Sequence, residues 1–245
     1  MTDWFIDTHC HLDLIKNIQQ NYQTEDILPI KTISVTNAPS FFAHSQKLFR
    51  YAKNIRVAAG LHPELVTQFY GEVEIFRSVM AETRYIGEIG LDGSGRFGTS
   101  FGLQHQVFTS LLKLCASSDG KVITVHTRNA EAEAVQTLKN IIGRSNCNVI
   151  LHWFTGNADT LKEAVDAGFY LSVNHKMTKT LKGQELIKRI PINRLLTETD
   201  APFTLSANMT RLESLQRCIN DLANIRQVDP ERMKTHVYDN FRQLL

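Results

Sequence analysis

A chain of 245 residues, 42% hydrophobic and 21% charged, carries enough apolar surface for one large core, and no run of it is apolar for long enough to span a bilayer. A net charge of +2 lacks the basic footprint of a protein held to nucleic acid by charge alone, yet it leaves open an enzyme that handles phosphates through bound metal. The four cysteines (Cys10, Cys115, Cys147 and Cys218) lie far apart without a C-x-x-C pair, which excludes a disulfide framework or a structural zinc knuckle; MTDWFIDTH lacks the basic and apolar regions of a signal peptide, so the chain reads as cytoplasmic.

In chain order, short β-branched apolar runs recur at Trp4–Thr8, Thr32–Thr36, Ile55–Gly60, Tyr85–Glu88, Val122–His126, Val149–His152, Phe169–Val173 and Leu195–Thr199. Between them lie stretches with helical periodicity. In Glu131–Ile142 the apolar residues Ala134, Val135, Leu138, Ile141 and Ile142 recur at three and four; Asp159–Ala167 and Leu212–Ile225 read the same way. Gly143, Gly168 and Gly183 fall where helix stops or tight turns are expected. Strand alternating with helix predicts a parallel sheet, and eight such units favour a closed (β/α)8 TIM barrel, a single domain over residues 1–245, above an open doubly wound sheet. The first turn, THCHLD, also lacks the glycine-rich nucleotide fingerprint of the open fold.

A barrel places its chemistry at the C-terminal strand ends. There the sequence puts His9 and His11 (IDTHCHLD), Glu88 (GEIGLD), His126 (VHTR), His152 (ILHWF) and Asp200 (TETDAPF). In an extended segment His9 and His11 share a face and Cys10 points away. Any one of these six is unremarkable as a satisfied core or loop residue; six ligand-type residues in register at five strand ends predict a metal centre. Imidazole and carboxylate donors without cysteine suit Zn²⁺, Mn²⁺, Fe²⁺ or, less comfortably for the imidazoles, Mg²⁺. One cation that keeps an open position does not need six protein ligands, whereas two divalent ions sharing a carboxylate would use them all, which makes hydrolysis the economical expectation.

IDTHCHLD, GLHPE, IGEIGLD, VHTRNA, LHWFTG and LLTETDAPF, in that order and spacing, resemble the TatD family of metal-dependent deoxyribonucleases, built on an amidohydrolase-like barrel. Finer variants, among them ILHWFTG and a short C-terminal region, are most similar to the TatD-type proteins of Qat anti-phage defence systems. The resemblance implies that His9, His11 and Asp200 hold one metal, that His126 and His152 hold the second, and that Glu88 bridges both. It implies catalytic roles for Glu88 and Asp200, a DNA or nucleotide-type phosphoester as substrate, and other Qat proteins as partners. Arg128, two residues after His126, is a candidate phosphate contact, and His62 of GLHPE a candidate for substrate or its water network. Asp7 is a candidate partner for an imidazole, and Asp92 reads equally as a turn residue.

Two segments depart from the family pattern. Asn174-His175 stands where relatives carry serine and glycine; asparagine tolerates positive φ, and His175 is expected in an exposed loop. After Phe203 the chain passes through TLSANMTRLESL, with Asn208 but without the longer substrate-cleft loop. A hydrolase of a modified nucleobase, amide or lactone, or a barrel acting mainly inside a defence assembly, are the competing expectations.

Overall fold

The computed structural model describes residues 2–245. All eight expected strands are present: β1 (Phe5–Cys10), β2 (Ile30–Ser34), β3 (Ile55–Val57), β4 (Tyr85–Gly90), β5 (Val122–His126), β6 (Asn148–His152), β7 (Tyr170–Val173) and β8 (Leu195–Thr197). Every pairing is parallel, and the ladder runs β1-β2-β3 and β4-β5-β6-β7-β8. Buried on both faces, these strands are near-continuous apolar runs; Val122, Ile123 and Val125 are each 2% exposed or less.

The two ladders close into a (β/α)8 barrel by joints of different kinds. Between β3 and β4 the joint is a single bridge, Ala59 to Ile86. Between β8 and β1 it is a hydrogen-bonded seam. The Thr8 hydroxyl donates to the Thr197 carbonyl at 3.1 Å, the Thr197 hydroxyl to the Ile6 carbonyl at 2.5 Å, and the Asp200 N–H to the His9 carbonyl at 2.8 Å.

Helices form the outer layer: α1 (Ile18–Asp26), α2 (Pro39–Leu48), α3 (Val66–Phe69), α4 (Val73–Val79), α5 (Phe101–Ala116), α6 (Glu131–Ile142), α7 (Ala158–Asp166), α8 (Leu181–Arg189), α9 (Arg211–Arg226) and α10 (Pro230–Gln243). The periodicity reading places α6, α7 and α9 within a residue of their observed ends. The starts are chemically marked. Asn157 Oδ1 accepts the Thr160 N–H at 2.9 Å, Asp229 accepts from Glu231 and Arg232, and Thr210 with Glu213 forms a capping box. Gly168 takes φ +83 after α7, as a stop requires. Gly183 is not a stop. It lies in the first turn of α8, where a Cβ would come within 2.1 Å of the Met177 carbonyl.

β1 and β4 each carry one irregularity beside a candidate ligand. Asp7 and Cys10 face Thr32 and Ser34, and Ile86 and Ile89 face Ile123 and Val125, so three steps on one strand match two on its neighbour. Such bulges re-aim side chains. One turns His9 inward although Asp7 faces the helices; the other presents Glu88. Gly60 makes room for the second, since a Cβ there would lie 2.3 Å from the Glu88 backbone nitrogen.

Candidate active site

The strand ends bring five imidazoles around one carboxylate. Glu88 Oε2 lies 3.3 Å from His9 Nε2 and 3.2 Å from His11 Nε2. Its other oxygen, Oε1, lies 2.8 Å from His126 Nδ1, 3.1 Å from His152 Nε2 and 3.4 Å from His62 Nε2. Asp200 Oδ1 sits 3.6 Å from His11 Nε2 and 3.9 Å from His9 Nε2. All six expected ligands therefore converge, His62 joins them, and Cys10 points away into the core.

Three of the rings are oriented from behind, whereas His11 Nδ1 is buried without a partner. His9 Nδ1 lies 2.7 Å from the Thr124 hydroxyl, which aims Nε2 at the two carboxylates. His126 Nε2 lies 3.0 Å from Asp92 Oδ2, and Asp92 also accepts the Ser94 N–H at 2.8 Å. Asp92 is thus both turn residue and imidazole partner. His152 Nδ1 faces Glu198 Oε2 at 3.6 Å. Glu198 is fully buried and is satisfied by the Ser172 hydroxyl, Asn174 Nδ2 (3.0 Å) and the Trp153 N–H (3.1 Å). Sequence reading missed Glu198 and Thr124. The signal for Glu198 was present: it precedes Asp200 by two in TETD, directly after β8.

Three expectations are corrected. Asp7 touches no imidazole: the bulge turns it to the helix layer, where it accepts from the Thr199 N–H at 2.8 Å, the Thr199 hydroxyl at 2.6 Å and Arg211 Nη2 at 2.8 Å. Asn174 is not among the residues at positive φ; it is a buried hydrogen-bonding group, whose Oδ1 accepts the N–H groups of Lys176 and Met177. His175 is neither at the mouth nor exposed. It is 8% exposed, with Nδ1 2.8 Å from the Ser214 hydroxyl under α9, and burial holds its pKa below the usual histidine value. After Phe203, bends and turns lead straight into α9.

Burial and charge set the protonation states. Burial pushes the Glu88 carboxyl up, but the imidazoles of His62, His9 and His152 outweigh it and hold Glu88 well below the carboxylate range. Burial and the neighbouring His152 charge hold His9 well below its usual value, as a neutral donor. For His152, Glu198 and Glu88 overcome burial and raise the ring well above it. For His126, burial lowers the ring, but its hydrogen bonds to the Asp92 and Glu88 carboxylates outweigh that and raise it above the usual value. Asp200 is pushed up to about 7 by burial.

A buried cation fits this donor set. His9 Nε2 is cut off from solvent without a hydrogen bond, aimed between two carboxylates, and the same is true of solvent access for His152 Nδ1 beside Glu198. Among the described residues three overlapping groups have ligand atoms within 4.8 Å of one another: His9, His11 and Asp200; His9, Glu88 and His152; His62, Glu88 and His126. Imidazole nitrogen with carboxylate oxygen suits a divalent ion. The donors open on a cavity of about 630 Å³ lined by His11, His62, Arg128, Trp153, Asp200 and Phe203, with Arg128 exposed on its rim.

A parallel barrel with imidazoles and carboxylates ringing its C-terminal mouth defines a metal-dependent hydrolase. The sequence profile of the TatD-related DNases matches residues 6–245. An uncharacterised metal-dependent hydrolase of Buchnera aphidicola is 29% identical over 219 residues, 82% of this chain and 81% of its own. The 3'-5' ssDNA/RNA exonuclease TatD of Citrobacter koseri is 31% identical over 160 residues, 62% of this chain and 60% of its own. The crystal structure of YjjV, a TatD homologue from Escherichia coli, superposes with a TM-score of 0.87 over 98% of this chain and 97% of that one; at 23% identity it speaks for the fold. This chain belongs to the TatD family.

Proposed function

We propose that this protein is a two-metal phosphodiesterase that hydrolyses DNA. The observation that carries the reading is Glu88, whose Oε2 faces His9 and His11 while Oε1 faces His126 and His152. In the binuclear reading His9, His11 and Asp200 hold one divalent ion and His126 and His152 the other, with Glu88 between them. Bound there, two cations would polarise the phosphoryl group and lower the pKa of a water, the usual contribution of such a pair.

The chain's own residues supply the rest. Asp200 presents Oδ1 to His9 and His11, which leaves Oδ2 to accept the proton of the attacking water. The P–O bond to the leaving strand breaks, and the departing oxygen takes up a proton. His62 Nδ1 accepts the Glu64 N–H at 3.1 Å, so its own proton sits on Nε2 and points into the site. His62 is therefore set as a hydrogen-bond donor to a phosphate oxygen rather than as a ligand. Arg128 on the rim offers the planar fork that suits a second phosphate.

The Citrobacter relative's name, a 3'-5' ssDNA/RNA exonuclease, supports attack from a strand end. The motif resemblance to Qat proteins alone supports phage nucleic acid as the target and Qat proteins as partners. The test is hydrolysis of end-labelled single- and double-stranded DNA by metal-stripped protein reloaded with Mg²⁺, Mn²⁺ or Zn²⁺, beside Glu88→Ala and Asp200→Asn. Metal-dependent products absent from both variants support the reading. Intact DNA with metal bound overturns it in favour of a hydrolase of amides, lactones or modified nucleobases.

A further inference from the structure

Trp153 follows His152 directly, with φ +39, a left-handed backbone uncommon for so large a side chain. Trp153 lines both the main cavity and a second recess of about 210 Å³, and so stands as the wall between them. Thr155 shares that wall. The far side is Met177 and Leu186, brought close because Gly183 lets the first turn of α8 settle on the Met177 carbonyl. The lining is almost wholly apolar, and the recess is smaller than the roughly 300–1,000 Å³ of pockets that enclose drug-sized ligands. A single planar ring system is the scale it fits.

Its rim is cationic. Lys176 and Lys182 both edge the recess, and Lys176 Nζ donates to the Phe203 carbonyl at 3.2 Å, on the side facing the mouth. The nearby acids are occupied elsewhere: Asp221 pairs with Lys179 at 2.7 Å and Glu185 with Lys188 at 2.7 Å. Among the described residues neither lysine at the rim has a carboxylate partner.

An apolar slot walled by Trp153, edged by cations without carboxylate partners and sharing that wall with the candidate phosphate-hydrolysing centre is complementary to one repeating unit of a nucleic acid strand. That unit couples a flat, stackable base to a phosphate anion. We propose that the recess between Trp153 and α8 is a subsite for the nucleobase adjoining the scissile phosphate. The base stacks on Trp153, and Lys176 and Lys182 face the next phosphate along. This inference rests on the phosphodiesterase reading and adds to it a place for one base of the strand. A paired base would have to leave its stack to enter the slot. A free base stacks on an aromatic ring without that step.

The chain has two tryptophans, so a Trp4→Phe variant makes Trp153 the sole indole reporter. Metal-loaded variant protein is titrated with a cleavage-resistant phosphorothioate tetrathymidylate and with its abasic counterpart, while cleavage of ordinary oligonucleotides is followed separately. The proposal expects saturable quenching by the tetrathymidylate and little by the abasic chain. It also expects Lys182→Glu to weaken binding by about tenfold, from the lost phosphate contact and the reversed charge. Equal quenching by both chains overturns the base assignment. Efficient cleavage with an unresponsive Trp153 also overturns it but leaves the phosphodiesterase standing; the recess then suits an apolar side chain of a protein partner. Absence of any nucleic acid cleavage removes both readings together.

Discussion

Arg211 Nη2 donates to Asp7 Oδ2 at 2.8 Å across 204 residues of sequence, with both side chains cut off from water. The same guanidinium reaches Glu25 at 2.7 Å and the Thr32 hydroxyl at 2.8 Å. Asp7 in turn accepts from Thr199, the residue before Asp200. One buried ion pair thus ties α9, α1, β2 and both sides of the barrel seam to the backbone that carries Asp200. Removing the cation alone strands a buried carboxylate. Arg211→Met should lower stability by about 3–5 kcal/mol. In a domain of this size that is a fall in Tm on the order of 10 °C, readable by calorimetry. Arg211→Met combined with Asp7→Leu should recover part of the loss, because the fully buried carboxylate goes with its cation and only Glu25, which reaches water, is left without it.

Asp92 fixes the ring of His126 through Nε2, so its removal should act on metal affinity before anything else. Asp92→Ala should weaken the ion that His126 helps hold by about 10–100-fold, the usual cost of losing a carboxylate behind a ligating imidazole. Titration calorimetry with Mn²⁺ or Zn²⁺ would show one of two binding phases displaced and the other retained.

His62 separates ligand from donor. If its proton sits on Nε2, as the Glu64 contact dictates, His62→Ala should leave the metal content unchanged while kcat/KM falls on the order of 10²-fold, the loss typical of one transition-state donor. A drop in bound metal by elemental analysis would make it a ligand instead.

Asp200 gives a pH dependence with a definite sign. Its carboxyl, pushed up to about 7 in the metal-free protein, favours the fold only when protonated. That contribution is complete below the unfolded value of about 4 and is lost as pH rises through 7. Metal-free wild type should therefore lose stability between about pH 4 and 7 more steeply than Asp200→Asn. Metal binding in the same window should release a proton that the variant does not, seen as a buffer-dependent heat.

The eight strands were legible because parallel strands buried on both faces leave unbroken β-branched runs, and helices on one side of them leave a stripe at three and four. Boundaries suffered where pairing, not composition, decides. Ile55–Gly60 reads as one strand, yet only Ile55–Val57 pairs along its length, since Ala58–Gly60 is spent on the bridge to β4 and on clearing Glu88. The six converging residues were readable from their strand ends. What supports them was not, because bulges and long-range partners leave no periodic trace. Strict alternation puts Asp7 beside His9, and one extra residue in β1 sends it to Arg211. Asn174 and His175 were misplaced for the same reason, as their partners Glu198 and Ser214 lie far along the chain.

The division of the barrel wall into a three-stranded and a five-stranded ladder has a consequence for how the chain is made. His9 and His11 belong to the first piece, Glu88, His126 and His152 to the second, and Asp200 to the last stretch of wall to leave the ribosome. The two pieces already meet through the Ala59–Ile86 bridge, but until Thr197 and Thr199 reach Ile6 and Asp7, some 190 residues upstream, the wall stays open and Asp200 is not held beside His9 and His11. Contacts of such long separation form late. A nascent or truncated chain would then be chemically silent, and competence would arrive only with closure.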